Sequence, residues 1–107
     1  MATAFSQRER ERIRESLLDA ALKSAASPGM RHATVDNLAR EAGISKGAFY
    51  RFYESKEHLF LSMLERTHEE MYGSAEKILA ERTDLPLRER TMQAILEVFR
   101  VAEKYDL

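Results

Sequence analysis

The 107-residue sequence contains no cysteine. That excludes disulfides, thiolate metal sites and a cysteine nucleophile, and it suits a reducing compartment. Tryptophan is absent too, and proline and glycine are scarce at 2 and 4. Little therefore stands in the way of long helices. No stretch approaches the roughly 18 consecutive apolar residues of a membrane span. The opening Met1-Ala2-Thr3-Ala4-Phe5-Ser6 has no basic start followed by an apolar core, so it does not read as a signal peptide. Strong charge of one sign is also missing. The formal net charge is −1, and the isoelectric point lies near 6.3. A chain-wide basic signature for nucleic acid is thus absent.

What remains is an ordinary globular balance, 44% hydrophobic and 33% charged. The length fits one small domain, or one domain and part of another. Charge is mildly uneven. Through His58 there are 10 basic and 8 acidic residues, and from Leu59 onward 7 and 10. No internal repeat, low-complexity stretch, Gly-rich phosphate loop, nucleophile elbow or paired carboxylates appear, so no catalytic residue and no cofactor is expected. His32, His58 and His68 lack the i, i+3 or i+4 spacing of helical metal ligands. No metal site is expected from them.

The pattern predicts an all-α chain of five helices. The first runs from about Ser6 to Ala26, with Ile13, Leu17, Ala20, Ala21 and Ser24 on one face, and Ser27-Pro28-Gly29 ends it. The second starts at Thr34 as N-cap, with Val35, Leu38, Ala39 and Ala42 apolar. Gly43 falls where a left-handed residue belongs, and Ile44 folds back after it. Ser45 caps a short third helix reaching about Phe52. Ser55 caps a long fourth helix, about Lys56 to Arg82, whose predicted stripe is Phe60, Leu64, Thr67, Met71, Ala75 and Ile78. A fifth begins at Thr83-Asp84-Leu85-Pro86, with proline in its first turn. Its predicted stripe is Leu87, Thr91, Ile95, Val98, Ala102 and Tyr105. Met63, Met71 and Met92 read as core filler. Leu107 leaves the fifth helix apolar and uncapped, so the natural chain is expected to continue.

Two helices joined by a tight Gly-containing turn make a helix-turn-helix. In the run TVDNLAREAGISKGAFYRFYESK, Thr34 to Lys56, apolar Val35, Leu38, Ala42, Ile44 and Phe49 pack inward. Lys46, Gly47, Ala48, Tyr50 and Arg51 are left around the short helix. Two cations, two small residues and a phenol suit entry into a groove about 12 Å wide. The first residues of a recognition helix, here Lys46 and Gly47, touch base edges. The helix start at Thr34 offers free N–H groups to a phosphate. Taken singly, Tyr50 fits a partly buried aromatic equally well, Lys46 and Arg51 fit solvated charge, and Thr34 and Ser45 fit plain caps.

The stretch Ile13 to Phe60 resembles the DNA-binding domain of the TetR family of transcriptional regulators. The likeness rests on AGISKG at Ala42–Gly47, Phe49-Tyr50, Ser55-Lys56-Glu57, Thr34-Val35 and Leu38-Ala39. It implies a homeodomain-like three-helix domain over residues 7–66. The start of an incomplete helical ligand-binding and dimerisation domain follows over 67–107. It further implies DNA contacts at Thr34, Ser45, Lys46, Gly47, Ala48, Tyr50, Arg51 and Lys56. Thr34, the Tyr50 hydroxyl and Lys56 meet the phosphate backbone, and the rest lie on the recognition helix. Members often carry histidine-phenylalanine where this chain has Phe52-Tyr53, so no histidine contact carries over to Phe52. The implied partners are operator DNA, a second copy in the full-length form and a small-molecule inducer. No membrane is implied. The setting is the bacterial cytoplasm at the nucleoid, and the role is a repressor on a palindromic operator. The alternative from the near-neutral charge is a helical protein-interaction module that keeps the fold without binding DNA.

Overall fold

The computed structural model describes residues 4–105. The expectations about the extreme ends, Met1–Thr3 and Asp106–Leu107, lie outside the described residues. Those described form five helices: α1 Gln7–Ala26, α2 Val35–Glu41, α3 Lys46–Phe49, α4 Lys56–Glu81 and α5 Leu87–Lys104. No helix among them is long and apolar enough to cross a membrane. The chain divides into two compact units, the first ending at Met63 and the second beginning at Leu64.

Local chemistry sets the helix ends of the first unit. Ser6 Oγ accepts from the Glu9 N–H at 3.1 Å, and the Glu9 carboxylate accepts from the Ser6 N–H at 3.3 Å. This reciprocal capping box satisfies two donors that a helix start otherwise leaves open. α1 buries Ile13, Leu17, Ala20, Ala21 and Ser24, the face that its periodicity marks. After α2 the Gly43 N–H donates to the Arg40 carbonyl at 3.0 Å, and the Ile44 N–H to the Ala39 carbonyl at 2.9 Å. Gly43 holds φ +74° there, and partly buried Ile44 packs on the core. That pair of bonds is a Schellman motif, which turns the chain sharply into α3. Around it Ile13, Leu17, Leu38, Phe49 and Leu59 are almost wholly removed from water. Ala20, Ala21, Ala39, Phe60 and Met63 complete the core.

α3 is shorter than the sequence suggests. Regular helix ends at Phe49, and Arg51 and Phe52 donate to the carbonyls three residues back. The turn tightens because the Tyr53 ring must also reach the core beside Phe49. Ser55 Oγ then accepts the His58 N–H at 3.1 Å, as a cap of α4 should. His58 Nδ1 accepts the Glu54 N–H at 3.2 Å, which gives that histidine a structural task.

Within the second unit both predicted stripes need correction. On α4, Thr67 and Ala75 are buried and Met71 and Ile78 partly so, but Leu64 is exposed. In the first unit it is Met63, one position earlier, that turns inward. On α5 the inward line is Arg90, Ala94, Glu97 and Val101, at spacings of 4, 3 and 4, and Lys104 beyond it is exposed. Arg90 donates to the Leu79 carbonyl at 3.0 Å, and Lys104 pairs with Glu70 at 2.6 Å. Between those two polar ties α5 buries Ala94 and Val101. Leu87, Thr91 and Ile95 of the expected stripe are exposed, and Val98, Ala102 and Tyr105 are half-buried. Met92 is exposed as well, so it fills no core here. Pro86 stands just before α5 as its N-cap rather than inside the first turn. Ahead of it the Arg82 guanidinium grips Asp84 through two 3.1 Å bonds and holds that carboxyl below its ordinary range.

Two glycines should respond oppositely to alanine. Gly43 sits at φ +74°, where a Cβ is strained, whereas Gly73 is helical and a Cβ there meets nothing within 4 Å. Gly43→Ala is expected to destabilise by about 1 kcal/mol. Gly73→Ala is expected to stabilise by about 0.5–1 kcal/mol through lost unfolded-state entropy. Urea midpoints of the two variants should move in opposite directions, and a shared direction would refute the backbone argument.

Candidate nucleic-acid interface

The eight sequence-predicted contact residues all lie in the first unit, and the structure treats them unequally. Thr34 Oγ1 accepts the Asn37 N–H at 3.2 Å, and Ser45 Oγ accepts the Ala48 N–H at 3.1 Å. Both are exposed N-caps, and their hydroxyls have a task before any ligand arrives. The capping leaves other first-turn N–H groups of α2 facing water, where a phosphate is stabilised by the helix end.

Lys46 opens α3. Its ammonium reaches Asp36 in the first turn of α2 at 3.9 Å, with both side chains more than half exposed. Such a pair contributes less than about 1 kcal/mol in water. The cation is thus loosely held and can leave Asp36 for a stronger acceptor.

Gly47 is exposed on α3, and its backbone is not left-handed. A Cβ built there would meet only Ser45 Oγ, at an ordinary 3.9 Å. Packing within the chain therefore gives no reason for glycine, which costs about 1 kcal/mol against alanine in a helix. Close approach of a partner would supply a reason outside the chain. Ala48 beside it is half-buried and short.

Tyr50 C-caps α3 and is 49% exposed, its ring edge-on to Phe49 at 5.5 Å. Phe49 itself is fully buried, so the pair works as anchor and outrigger. Arg51 is exposed, with its guanidinium 5.9 Å from the Phe5 ring centre. Phe5 also packs on Phe52 at 6.0 Å, and Arg14 lies 5.8 Å over Phe52. Phe52 thus packs against the core, and Tyr53 is buried between Phe49 and His58. The aromatic-cation group of Phe5, Arg14, Arg51 and Phe52 escaped sequence reasoning. Its signal is Phe5, an apolar residue just before the Ser6-x-x-Glu9 box; with Arg10 at the position a staple would use on α1, Phe5 packs on Phe52 instead.

Lys56 is the departure. Its ammonium donates to the carbonyls of Met30, Arg31 and Ala33, at 3.2, 3.2 and 2.9 Å. Where the sequence leads to an expected contact with a DNA phosphate, the structure shows an ammonium engaged by the chain's own carbonyls. All three of its N–H bonds point into the loop before Thr34.

The remaining exposed group is therefore a one-turn helix with Lys46, Gly47, Tyr50 and Arg51 on its outer side and a helix start at Thr34 nearby in sequence. Long cations, a phenol and small residues can form hydrogen bonds to base edges and phosphates. Among the described residues no cluster of three or more metal-ligating side chains accompanies them. His68 stacks on Tyr72, with ring centres 4.6 Å apart.

Residues 17–63 match the family described as bacterial regulatory proteins, tetR family. Among curated proteins, the chain is 44% identical over 57 residues to the uncharacterized HTH-type transcriptional regulator YuxN of Bacillus subtilis. That match covers 53% of this chain and 19% of that protein. It is 32% identical over 87 residues to the nucleoid occlusion factor SlmA of Marinobacter nauticus, covering 80% and 44% respectively. It is 29% identical over 91 residues to the uncharacterized regulator YhgD of Bacillus subtilis, covering 85% and 47%. The chain thus spans less than half the length of these relatives. No solved structure matches it significantly.

Replacing Gly47 by alanine separates the internal from the external reading of that position. The free protein is expected to gain up to about 1 kcal/mol of stability. Binding to duplex DNA is expected to weaken by about tenfold, as a methyl group meets the groove floor (about 1.4 kcal/mol). Thermal melts and a DNA titration on the same preparation read both effects. A variant that loses stability and keeps DNA affinity would reverse the interpretation.

Proposed function

Starting from a chain whose residues 17–63 belong to the tetR family of bacterial regulatory proteins, we propose that it binds double-stranded DNA as a transcriptional regulator, with α3 in the major groove. The observation that carries this reading is Gly47, a glycine without an internal cause between a loosely held Lys46 and an exposed Tyr50. Lys46 and Gly47, with Ala48 and Arg51, face base edges. Tyr50 and the start of α2 at Thr34 take phosphates, and these fix the register in which the bases are read. Ser45 acts through its cap, which holds α3 together.

The finer reading is a repressor that acts as a homodimer on a palindromic operator and answers a small-molecule inducer. The domain limits 7–66 and 67–107 belong to it, and so does a place at the nucleoid in the bacterial cytoplasm. A dimer reads two half-sites about 34–36 Å apart, one DNA turn. A ligand that alters the separation of two reading heads then loses affinity at both. Curated relatives named as HTH-type transcriptional regulators support the regulatory role. A protein-interaction module without DNA binding is the second reading, favoured by the net charge of −1. A partner protein retained by Lys46→Glu, with no DNA retained, would select it. No catalytic step enters either reading.

Fluorescence anisotropy against the gene's own upstream duplex tests the proposal. Affinity should fall linearly on a log–log plot against salt. Lys46→Ala should cost about 1–3 kcal/mol and relax preference at the bases it meets. Tyr50→Phe should weaken all sequences alike. A salt-independent titration that neither substitution alters would sink the DNA reading.

A further inference from the structure

The loop between α1 and α2 ends as a small helical turn. The His32 and Ala33 N–H groups both donate to the Gly29 carbonyl at 3.2 Å, and Gly29 enters at φ +102°. Such a turn leaves its last carbonyls without local backbone donors. Three of them, from Met30, Arg31 and Ala33, converge on the Lys56 ammonium. An ammonium has three N–H donors and no acceptor, so the match is complete. Buried Ala33 directly precedes Thr34, the cap from which α2 starts.

We infer that Lys56 is a positioning residue: it caps the Gly29–Ala33 turn from the first residue of α4 and so fixes the origin of α2. Lys56 then serves the motif from inside the chain, without touching DNA. The DNA half of this inference rests on the proposed function, but the capping half does not. A cation also suits the negative end of a turn electrostatically. Lysine rather than arginine fits, because three carbonyls around one point ask for a compact tetrahedral donor and not a planar fork.

The test uses the whole chain and begins without DNA. In the parent, the Lys56 ammonium protons should exchange with water more slowly than those of exposed Lys46, as read by 15N-detected NMR. Lys56→Met keeps length and removes the donors. Amides of residues 30–34 and of the first turn of α2 should then exchange at least tenfold faster, while those of α1 hold. Should Lys56→Met fail to fold, Lys56→Gln, which keeps two donors, should show the same effect in smaller measure. With duplex DNA, Lys56→Met should weaken binding while the slope of log affinity against log salt stays at the parent value. Loss of a direct phosphate contact would instead shrink that slope by about 0.9. Ammonium exchange equal to that of Lys46, or unaltered amides at 30–34, overturns the inference even if DNA binding is real. If no DNA binds at all, the proposed function fails and the exchange data still decide the capping role.

Discussion

A helix of four residues has no stability of its own. Fixing one turn costs several dihedral angles for each hydrogen bond gained, and isolated helices become worthwhile only past about 12 residues. α3 exists because the Phe49 side chain is wholly buried in a core built by α1, α2 and the start of α4. Everything exposed on α3 is placed by that single insertion. Lys46 and Gly47 lie one turn before the anchor, Tyr50 sits directly after it, and Arg51 follows in the tightened turn. Ser45 supplies the other end of the constraint by accepting the Ala48 N–H. The reading surface is thus rigid by borrowed stability, and none of its outward residues need contribute to folding. They are free to be chosen for a partner.

That freedom is compatible with the proposed DNA-binding face on a chain of net charge −1. The cations that matter are few and locally placed. Lys46 is held at arm's length by Asp36, and Arg51 is steadied by an aromatic ring rather than by a carboxylate. Neither tie is strong, since exposed pairs contribute little. A phosphate or a guanine edge in a groove offers a better acceptor, so both side chains can exchange partners at low cost. Lys56 is different in kind. Three backbone carbonyls hold it, and exchange there would reopen the loop.

Much of the first unit was legible because its determinants are local. Thr34, Gly43, Ser45 and Ser55 each act within a few residues, through a cap or a left-handed turn that only certain side chains permit. The inward face of α1 follows from spacing alone, since its other faces are charged. Where reading failed, the determinant was distant or disguised. Lys56 finds carbonyls more than twenty residues away, and no spacing rule reports that. The tightening after Phe49 answers to the burial of Tyr53, again a tertiary demand. On α5 the inward line contains Arg90 and Glu97, which an apolar search passes over. Its competing face carries Met92, Ile95, Leu96 and Phe99, larger and more hydrophobic yet exposed. Periodicity finds that a helix has an apolar stripe, but two stripes on one helix defeat it.

The two units therefore differ in how completely they close. The first buries Ile13, Leu17, Leu38, Phe49 and Leu59 almost completely and exposes Lys46, Gly47, Tyr50 and Arg51 at and just after α3. The second encloses Ala75, Ala94 and Val101, all small, and keeps large apolar side chains on its surface. Exposed apolar residues at helical spacing are costly to leave in water, and they do not suit recognition of a charged polymer. The chemistry suited to DNA is confined to the unit whose core is already complete. The proposed DNA contacts and this apolar face can in consequence be altered separately by substitution. Changes at Lys46 or Gly47 act on a surface that folding does not need, and changes at Phe99 or Ile95 act on one that DNA does not ask for.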